Sequence, residues 1–447
     1  MSISTFKGGV HPPGRKARSS RTGIEKAPLP AEVVIPVNQH IGPPIAPVVA
    51  VGDRVLRGQR IADGEGRLAI ALHASVSGTV KKIENRVLAN NSEGLCVIIQ
   101  SDQAQEDFPA MPSLDPFTCS REEAVKRVRD AGIIGMGGAG FPTHVKLDPP
   151  PGKKAEILIG NGAECEPYLT ADEALMEEQA ARVASGMAIA MRICGAPKGV
   201  IALEDNKARL VPVMEEAVRN HSRGMDIEVR LVKTKYPQGG EKMLIVAITG
   251  REVPSGGLPV DAGCVVQNVA TLAAISDAFL LGKPLTERAV TFSGGALKEP
   301  KNLLLPIGTV ASSLVPGTVQ FDSEPRKFVF GGPMMGFSTG DAAIPVQKNT
   351  SGVLFLTKAE TDLDAEGQCI RCGRCMRACS CRLSPALLNA ALASGDLELA
   401  EEIGLMDCVD CGTCAWVCPA RIRLVQRFRV GKQLLKEKKR KEASHAK

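Results

Sequence analysis

Eight cysteines near the C-terminus carry the most specific chemistry in the sequence. They form two runs of one design, Cys369-x2-Cys372-x2-Cys375-x3-Cys379 and Cys408-x2-Cys411-x2-Cys414-x3-Cys418, the second closed by Pro419. Three thiolates spaced in this way wrap one face of a cubane, and in two-cluster proteins with this spacing the fourth cysteine crosses to the other cluster. The expected ligand sets are Cys369, Cys372, Cys375 and Cys418 for one [4Fe-4S] cluster, and Cys408, Cys411, Cys414 and Cys379 for the other. Zinc knuckles usually show CxxC pairs, and disulfides do not persist in a reducing cytosol, so neither accounts for two four-cysteine runs.

A second candidate site is the loop Gly135-Met136-Gly137-Gly138-Ala139-Gly140. It satisfies GxGxxG, but a dinucleotide fingerprint needs a strand before it and a helix opening after it. Here a helical pattern precedes the loop and Phe141-Pro142 interrupts any helix after it, so a Rossmann turn is not expected. Five glycines between positions 132 and 140 still expose successive backbone N–H groups that can cradle a phosphate, with Lys146 near enough to neutralise it. The other titratable groups form no pattern. Cys96, Cys119, Cys165, Cys194 and Cys264 are isolated and are expected to pack as small apolar side chains. The six histidines, at 11, 40, 73, 144, 221 and 445, form no spaced cluster and are expected to be structural or at the surface.

The elements that must position these groups lie in a 447-residue chain, long enough for about three domains at roughly 100 to 200 residues each. Residues 1–30 are rich in Gly, Pro and basic side chains and read as an irregular segment. From 31 to 100, short β runs broken by Gly and Pro indicate a compact all-β module. Its stretches Gly52 to Gln59 (GDxVxxGQ) and Ser77-Gly78-Thr79-Val80 resemble the two half-repeats of a lipoyl-like barrel-sandwich fold. No Lys stands at the hairpin Asp63 to Arg67, so a swinging lipoyl arm is not expected. After a Pro- and Asp-rich linker, Ser120 and Glu123 form a capping box that opens a helix ending at Gly132. Strands near 157–159, 200–203 and 227–232 then alternate with helices near 172–193 and 208–220, which implies a three-layer α/β domain over 118–255 with a parallel sheet. Residues 256–352 turn mixed and Gly-rich, as a small α+β module would. The cysteine runs occupy a helical region at 360–425, followed by a basic tail at 426–447.

Composition narrows the class of function. Aromatic residues are only 3% of the chain, which argues against base-stacking platforms and hence against nucleic acid. No apolar run approaches the 18 or so residues of a membrane span, and no secretory signal opens the chain, so the expectation is a cytoplasmic protein without its own transmembrane segment. The net charge of +6 is unevenly placed. From Arg421 onward eleven Lys/Arg face two Glu, a net of +9. Such a run reads as a solvated tail, with docking to an acidic partner or anionic lipid headgroups as its functional alternative.

Several of these motifs carry a family resemblance. The run Gly135 to Lys146 is similar to the flavin and NADH loop in the FMN-binding subunit of respiratory complex I. Asn161-Gly162-Ala163-Glu164-Cys165-Glu166-Pro167, Tyr236-Pro237-Gln238-Gly239-Gly240-Glu241 and Gln267-Asn268-Val269-Ala270-Thr271 agree with it in order. Phe6-Lys7-Gly8-Gly9-Val10-His11-Pro12-Pro13, Gly250 to Pro259 and Gly331-Gly332-Pro333-Met334-Met335-Gly336 narrow the match. With the cysteine runs, the whole resembles the RnfC (RsxC) family of the Rnf ion-translocating electron-transport complexes. The resemblance implies FMN held by Gly135, Gly137, Lys146, Asn161, Tyr236, Gly239, Gln267 and Asn268. It implies NADH met by Gly138, Ala139, Phe141, Glu166 and Glu241, with Glu164 in the same cofactor-binding set. It further implies an SLBB-type β-grasp module at 256–352 and a ferredoxin-type domain holding two [4Fe-4S] clusters at 360–425. Implied partners are the other subunits of a membrane complex and a ferredoxin-type electron partner, with the chain peripheral on the cytoplasmic side. Two departures stand out: Ser380 replaces the usual proline after Cys379, with Cys381 a spare thiol beside it, and Gly240-Glu241 replaces two adjacent acids.

These parts form a logical chemical series. NADH gives up two electrons together as hydride, iron-sulfur clusters take one at a time, and a flavin between them converts one into the other. No side chain need act as general acid or base. Two other readings compete: a soluble reductase built from the same parts, such as cobalamin reductase or the electron-transfer partner of proline reductase, and a wiring module that holds clusters but no flavin. The N-terminal β module and the FKGGVHPP opening favour the Rnf reading over the cobalamin reductase.

Overall fold

The computed structural model describes residues 3–361 and 364–445. The first two and last two residues, which end the expected N-terminal segment and basic tail, and residues 362–363 near the start of the expected cluster domain, lie outside the described residues.

The all-β module is a sandwich of two sheets. Glu32–Pro36, Glu93–Ser101, Gly78–Val87 and Arg54–Val55 form one in that order, and Ala46–Pro47, Arg60–Asp63 and Leu72–His73 the other. Val33, Ile35, Ile61, Leu72, Val80, Val97 and Ile99 fill the space between them. The two recurring motifs meet here, since Arg54 and Val55 pair with Thr79 and Gly78. Gly78 has a steric reason: any Cβ would collide with the Gln100 carbonyl on the neighbouring strand.

The α/β domain opens with the expected capping box, Ser120 and Glu123 satisfying each other's backbone N–H at the start of Arg121–Asp130. Its parallel sheet has the order Asp226–Val232, Lys198–Glu204, Ile157–Gly162, Cys264–Asn268. The central strand Lys198–Glu204 is almost wholly buried and reads as a continuous apolar run, as a strand covered on both faces must. Asp226–Val232 lies at the edge, partly exposed, which is why its sequence alternates. Ala180–Cys194, Val211–His221 and Val269–Leu280 pack on one face and Glu241–Thr249 on the other. The helix expected at 172–193 is two, Ala171–Glu178 and Ala180–Cys194, interrupted where Gln179 leaves helical geometry.

Three expectations change. Residues 264–280, assigned from sequence to the α+β module, complete the parallel sheet and its covering helix: Val265 pairs with Leu158 and Gln267 with Gly160. The glycines at 256, 257 and 263 resemble a domain boundary but punctuate a loop within the domain. The N-terminal segment is not wholly irregular, because Ile24–Lys26 adds a strand parallel to Lys301–Pro306. That strand edges a six-stranded mixed sheet with Glu287–Ser293, Gly352–Leu356, Lys327–Phe330 and Phe337–Thr339.

The third change concerns the basic tail, which is a folded helix, Leu424–His445. It buries Leu424, Val425 and Phe428, the last at 1% exposure, against Leu388, Ala391 and the cysteine region, and Leu435 further along is 3% exposed. Its charges are largely paired: Arg427 with Glu366, Lys432 with Asp410, Lys438 with Glu398 and Lys439 with Glu401. A run of Lys and Arg with apolar residues at 424, 425, 428 and 435 is therefore an amphipathic helix whose stripe is sparse enough to be masked by the charge. Phe428→Ala is expected to cost about 3 to 5 kcal/mol through the cavity it leaves, measurable by chemical denaturation, with loss of bound iron accompanying unfolding of this region.

Candidate functional site

The parallel sheet determines where a ligand can sit. The chain runs outward from Ile157–Gly162 through the strands on one side, then returns to place Cys264–Asn268 on the other, so the strand order reverses between these two. A crevice at the carboxyl ends of such a pair is the usual ligand site of an open α/β sheet. Asn161 is the penultimate residue of the first strand, and Gln267 and Asn268 end the second.

The glycine loop arrives at this crevice from Arg121–Asp130. The Gly135 N–H donates to the Phe141 carbonyl at 2.8 Å, and the Met136 N–H donates to Thr271 Oγ1 at 2.9 Å, which seats the loop over the start of helix Val269–Leu280. Gly137, Gly138 and Ala139 are exposed at the mouth, with Phe141 half-buried beneath. Gly138 has φ +129°, and a Cβ there would meet open space. The loop is held from outside the domain as well: Asn349 Nδ2 donates to the Gly138 carbonyl at 2.8 Å and the Ile41 N–H to the Gly140 carbonyl at 3.0 Å. The third wall is the Tyr236 to Glu241 turn. Asn161 Nδ2 donates to the Gly239 carbonyl at 2.8 Å, and Gly239 is obligatory because a Cβ would collide with the Ala163 carbonyl.

One feature of this crevice fits a heteroaromatic ligand with both donors and acceptors on its edge. Gln267 is buried, and neither its Nε2 nor its Oε1 has a protein partner. Leaving such groups unpaired costs about 1 to 3 kcal/mol each, which a bound isoalloxazine edge would recover.

The acidic and basic groups are more engaged than the sequence suggests. Lys146 Nζ donates to the Glu241 carboxylate and to the Val266 carbonyl at 2.9 Å, so Lys146 and Glu241 form an ion pair at the start of helix Glu241–Thr249. Asn268 caps its helix and donates to Asp172 at 2.7 Å. Glu166 accepts from the Met334 and Met335 N–H groups, both at 3.0 Å, and from the Tyr236 hydroxyl at 3.4 Å. It thus ties the α/β domain to the Gly331 to Gly336 turn. The Tyr236 side chain is placed at the cysteine region, its hydroxyl donating to the Cys411 carbonyl at 2.7 Å.

Sequence reasoning missed Lys16. Its Nζ donates to the carbonyls of Glu164 and, at 2.7 Å, Leu169, anchoring the N-terminal segment beneath the crevice. It also missed Lys348, buried with Nζ on the Ala71 and Gly132 carbonyls, where burial pulls its pKa down to about 7. Isolated basic residues in a Gly- and Pro-rich segment carry no signal of burial, though the FKGGVHPP match marks the first segment as special. Of the isolated cysteines, Cys96, Cys194 and Cys264 are buried, whereas Cys119 and Cys165 are half-buried.

Glu164 is buried and accepts from the Asp172 N–H at 2.9 Å. Burial, opposed by Lys16, pushes its carboxyl from the ordinary 4.5 up to about 7. The folded state then holds a proton that the unfolded chain releases, so Glu164 destabilises the fold progressively as pH rises from about 4.5 to about 7. Glu164→Gln is expected to flatten the fall in stability over that window, read as the variant-minus-wild-type difference in denaturation free energy. A difference independent of pH would contradict the assignment.

Seven of the eight run cysteines fall into two neighbourhoods. Cys375 lies within electrostatic range of Cys418 and Cys369. Cys414 lies within range of Cys411, Cys408 and Cys379. The second group encloses a gap lined by Cys379, Cys408, Cys411 and Cys414, with Ser380, Cys381 and Phe428 on its wall. Among the described residues no three His, Cys, Asp or Glu side chains converge closely enough for one metal ion. Four thiols around a gap, one for each iron, would suit a cubane.

Comparison with known proteins agrees with this anatomy. Residues 4–104 match the family model described as the RnfC barrel sandwich hybrid domain, and residues 128–277 match the Nuo51 FMN-binding domain. The latter span includes 264–277, in agreement with the sheet. The C subunit of the proton-translocating ferredoxin:NAD(+) oxidoreductase complex of Clostridium ljungdahlii is 45% identical over 430 residues, covering 96% of this chain and 93% of that protein. The C subunit of the Na(+)-translocating ferredoxin:NAD(+) oxidoreductase complex of Acetobacterium woodii is 43% identical, covering 98% of each. Among solved structures, a chain of an NAD+-reducing [NiFe]-hydrogenase superposes with a TM-score of 0.52 at 21% identity, over 71% of this chain and 63% of that one, and shares the fold. Similarity at this level along nearly the whole length, joined to both domain matches, means that the chain belongs to the RnfC family, the C subunits of ion-translocating ferredoxin:NAD(+) oxidoreductase complexes.

Proposed function

We propose that this chain is the NAD(H)-linked electron-transfer subunit of a membrane-associated complex that couples electron transfer between ferredoxin and NAD to ion translocation. The observation that carries the reading is the crevice at the strand-order reversal, where the glycine loop, Asn161, the Gly239 turn and an unpartnered buried Gln267 converge. When bound there, FMN supplies the exchange between hydride and single electrons. Asn161, Gly239, Gln267 and Asn268 would hold and orient it, the backbone of Gly135 and Gly137 would approach it closely, and the Lys146–Glu241 pair would set the charge beside it. Gly138, Ala139 and Phe141 at the open mouth are placed for the nicotinamide nucleotide. Glu164 and Glu166 support the crevice through their contacts with the Asp172 and Met334–Met335 backbone.

The domain order we propose is the barrel-sandwich module, the FMN domain extending through residue 280, an SLBB-type β-grasp module on the six-stranded sheet, and a ferredoxin-type domain with crossed cysteine ligation. Among the described residues no helix is long and apolar enough to cross a membrane, and in this reading the chain docks peripherally, on the cytoplasmic side, to the membrane subunits. Anaerobically purified protein is expected to carry one non-covalent FMN and to reduce an artificial dye with NADH. Iron-loaded, folded protein that fails to bind FMN would instead mark a wiring module.

A further inference from the structure

We infer that the cluster expected on Cys379, Cys408, Cys411 and Cys414 is the inner one, which exchanges electrons directly with the flavin site, and that Tyr236 is the residue that positions it there. The inference rests on the functional reading above and adds an order to its carriers. Tyr236 is 1% exposed and packs with Val10, Ala378 and Cys411. Its hydroxyl donates to the Cys411 carbonyl at 2.7 Å. Three residues along the same turn, the Gly239 carbonyl receives Asn161 Nδ2 at 2.8 Å. One short turn therefore touches a ligand of the second cluster at one end and the wall of the flavin crevice at the other.

Two further segments close around the same cluster. Gly8 to Val10 forms a strap: the Gly9 N–H donates to the Ala378 carbonyl at 2.9 Å, and Val10 and Tyr236 exchange backbone hydrogen bonds at 2.8 and 2.9 Å. Gly8, at φ +80°, lies so close that a Cβ would sit 2.6 Å from the Cys379 carbonyl oxygen. On the other flank Met334, held by Glu166, meets Gly412, whose Cβ would come within 2.9 Å of the Met334 carbonyl. Among the described residues, hydrogen bonds tie the C-terminal region to the rest of the protein at Ala378, Arg382, Asp407, Cys411 and Arg429. Four of these lie within three residues of a ligand of this cluster. By contrast Cys369 and Cys372 are exposed, with Ile370 between them 68% exposed.

Electron transfer through packed protein falls steeply with distance, so carriers exchange along the shortest packed route. With the groups bound, the residues would set the order flavin, inner cluster, outer cluster, external partner, with one electron lost by one carrier and gained by the next, in either direction. Cys369, Cys372, Cys375 and Cys418 would hold the outer cluster, and the exposure of Cys369 and Cys372 would leave it open to exchange with an external iron-sulfur partner.

The test uses the full chain loaded with FMN and iron. Spin-relaxation measurements on the one-electron-reduced flavin report which reduced cluster is near it. In Cys372→Ala, which lacks the outer cluster, relaxation enhancement should persist; in Cys411→Ala, which lacks the inner one, it should largely vanish. Equal or reversed enhancement overturns the assignment. Where a cysteine variant loses both clusters, Tyr236→Phe in the intact protein decides. Loss of the donor to the Cys411 carbonyl should lower the midpoint potential of the cluster that relaxes the flavin signal and leave the other unchanged. No shift, or a shift in the other cluster, overturns the role of Tyr236. A wild-type chain with no bound flavin would sink the functional reading itself, an outcome distinct from all of these.

Discussion

Cys418→Ala should remove the cluster whose other three ligands lie some fifty residues earlier in the chain, not the one its own run supplies. Anaerobically purified wild-type protein is expected to hold about eight irons, and the variant about four. The remaining EPR signal should be that of the cluster on Cys379, Cys408, Cys411 and Cys414. The physical reason is that a run with two-residue spacings wraps three corners of a cubane and points its fourth cysteine elsewhere. Cys375 stands in electrostatic range of Cys418 and Cys369, which supports that reading. Loss confined to the other cluster would overturn the crossed assignment. Cys381 gives a useful control: burial pushes its thiol up to about 11, and it stands in range of Cys379 and Cys411. If it replaces Cys379 as ligand, Cys379→Ala will retain eight irons while Cys381→Ala loses four, the reverse of the expected result.

Gly137→Val should abolish FMN binding without unfolding the protein. At most glycines of the crevice the two effects cannot be separated; a Cβ at Gly239 would strike the Ala163 carbonyl, so that substitution damages the fold itself. Gly137 is different. It is exposed at the mouth, and the nearest atom to a new Cβ would be Asn268 Cβ at 3.3 Å, a side-chain neighbour that can give slightly. A branched side chain there would block the close backbone approach that a flavin phosphate or ring needs. The expected result is unchanged circular dichroism and iron content with flavin fluorescence lost from the purified protein. A folded Gly137→Val variant with one FMN per chain would show that the loop serves another purpose.

The parts of this protein whose chemistry depends on local spacing were legible in its residues alone. The cysteine runs, the capping box of Ser120 and Glu123 and the glycine loop are short-range patterns, and the chain geometry of a few residues suffices to read them. The segments at 200–203 and 227–232 were likewise legible as strands, though only the sheet order places the first inside and the second at the edge. Long-range packing decided the rest. Whether Cys264 to Leu280 belongs to the parallel sheet or to the next module is set by pairing with a strand a hundred residues earlier, and its flanking glycines resemble a boundary in either case. Leu424–His445 looked like a charged tail because its apolar positions are few, and only the partners Leu388 and Ala391 make them a core. Lys146 and Glu241 read as separate ligand contacts, yet a salt bridge between distant segments engages each with the other. Tyr236 belonged by motif to the flavin, but the turn that carries it also faces the cluster region, and a hydroxyl hydrogen bond to a residue 175 positions away cannot be read from spacing. Local sequence specifies which groups are available; burial and pairing between remote segments decide which of them remain free to meet a ligand.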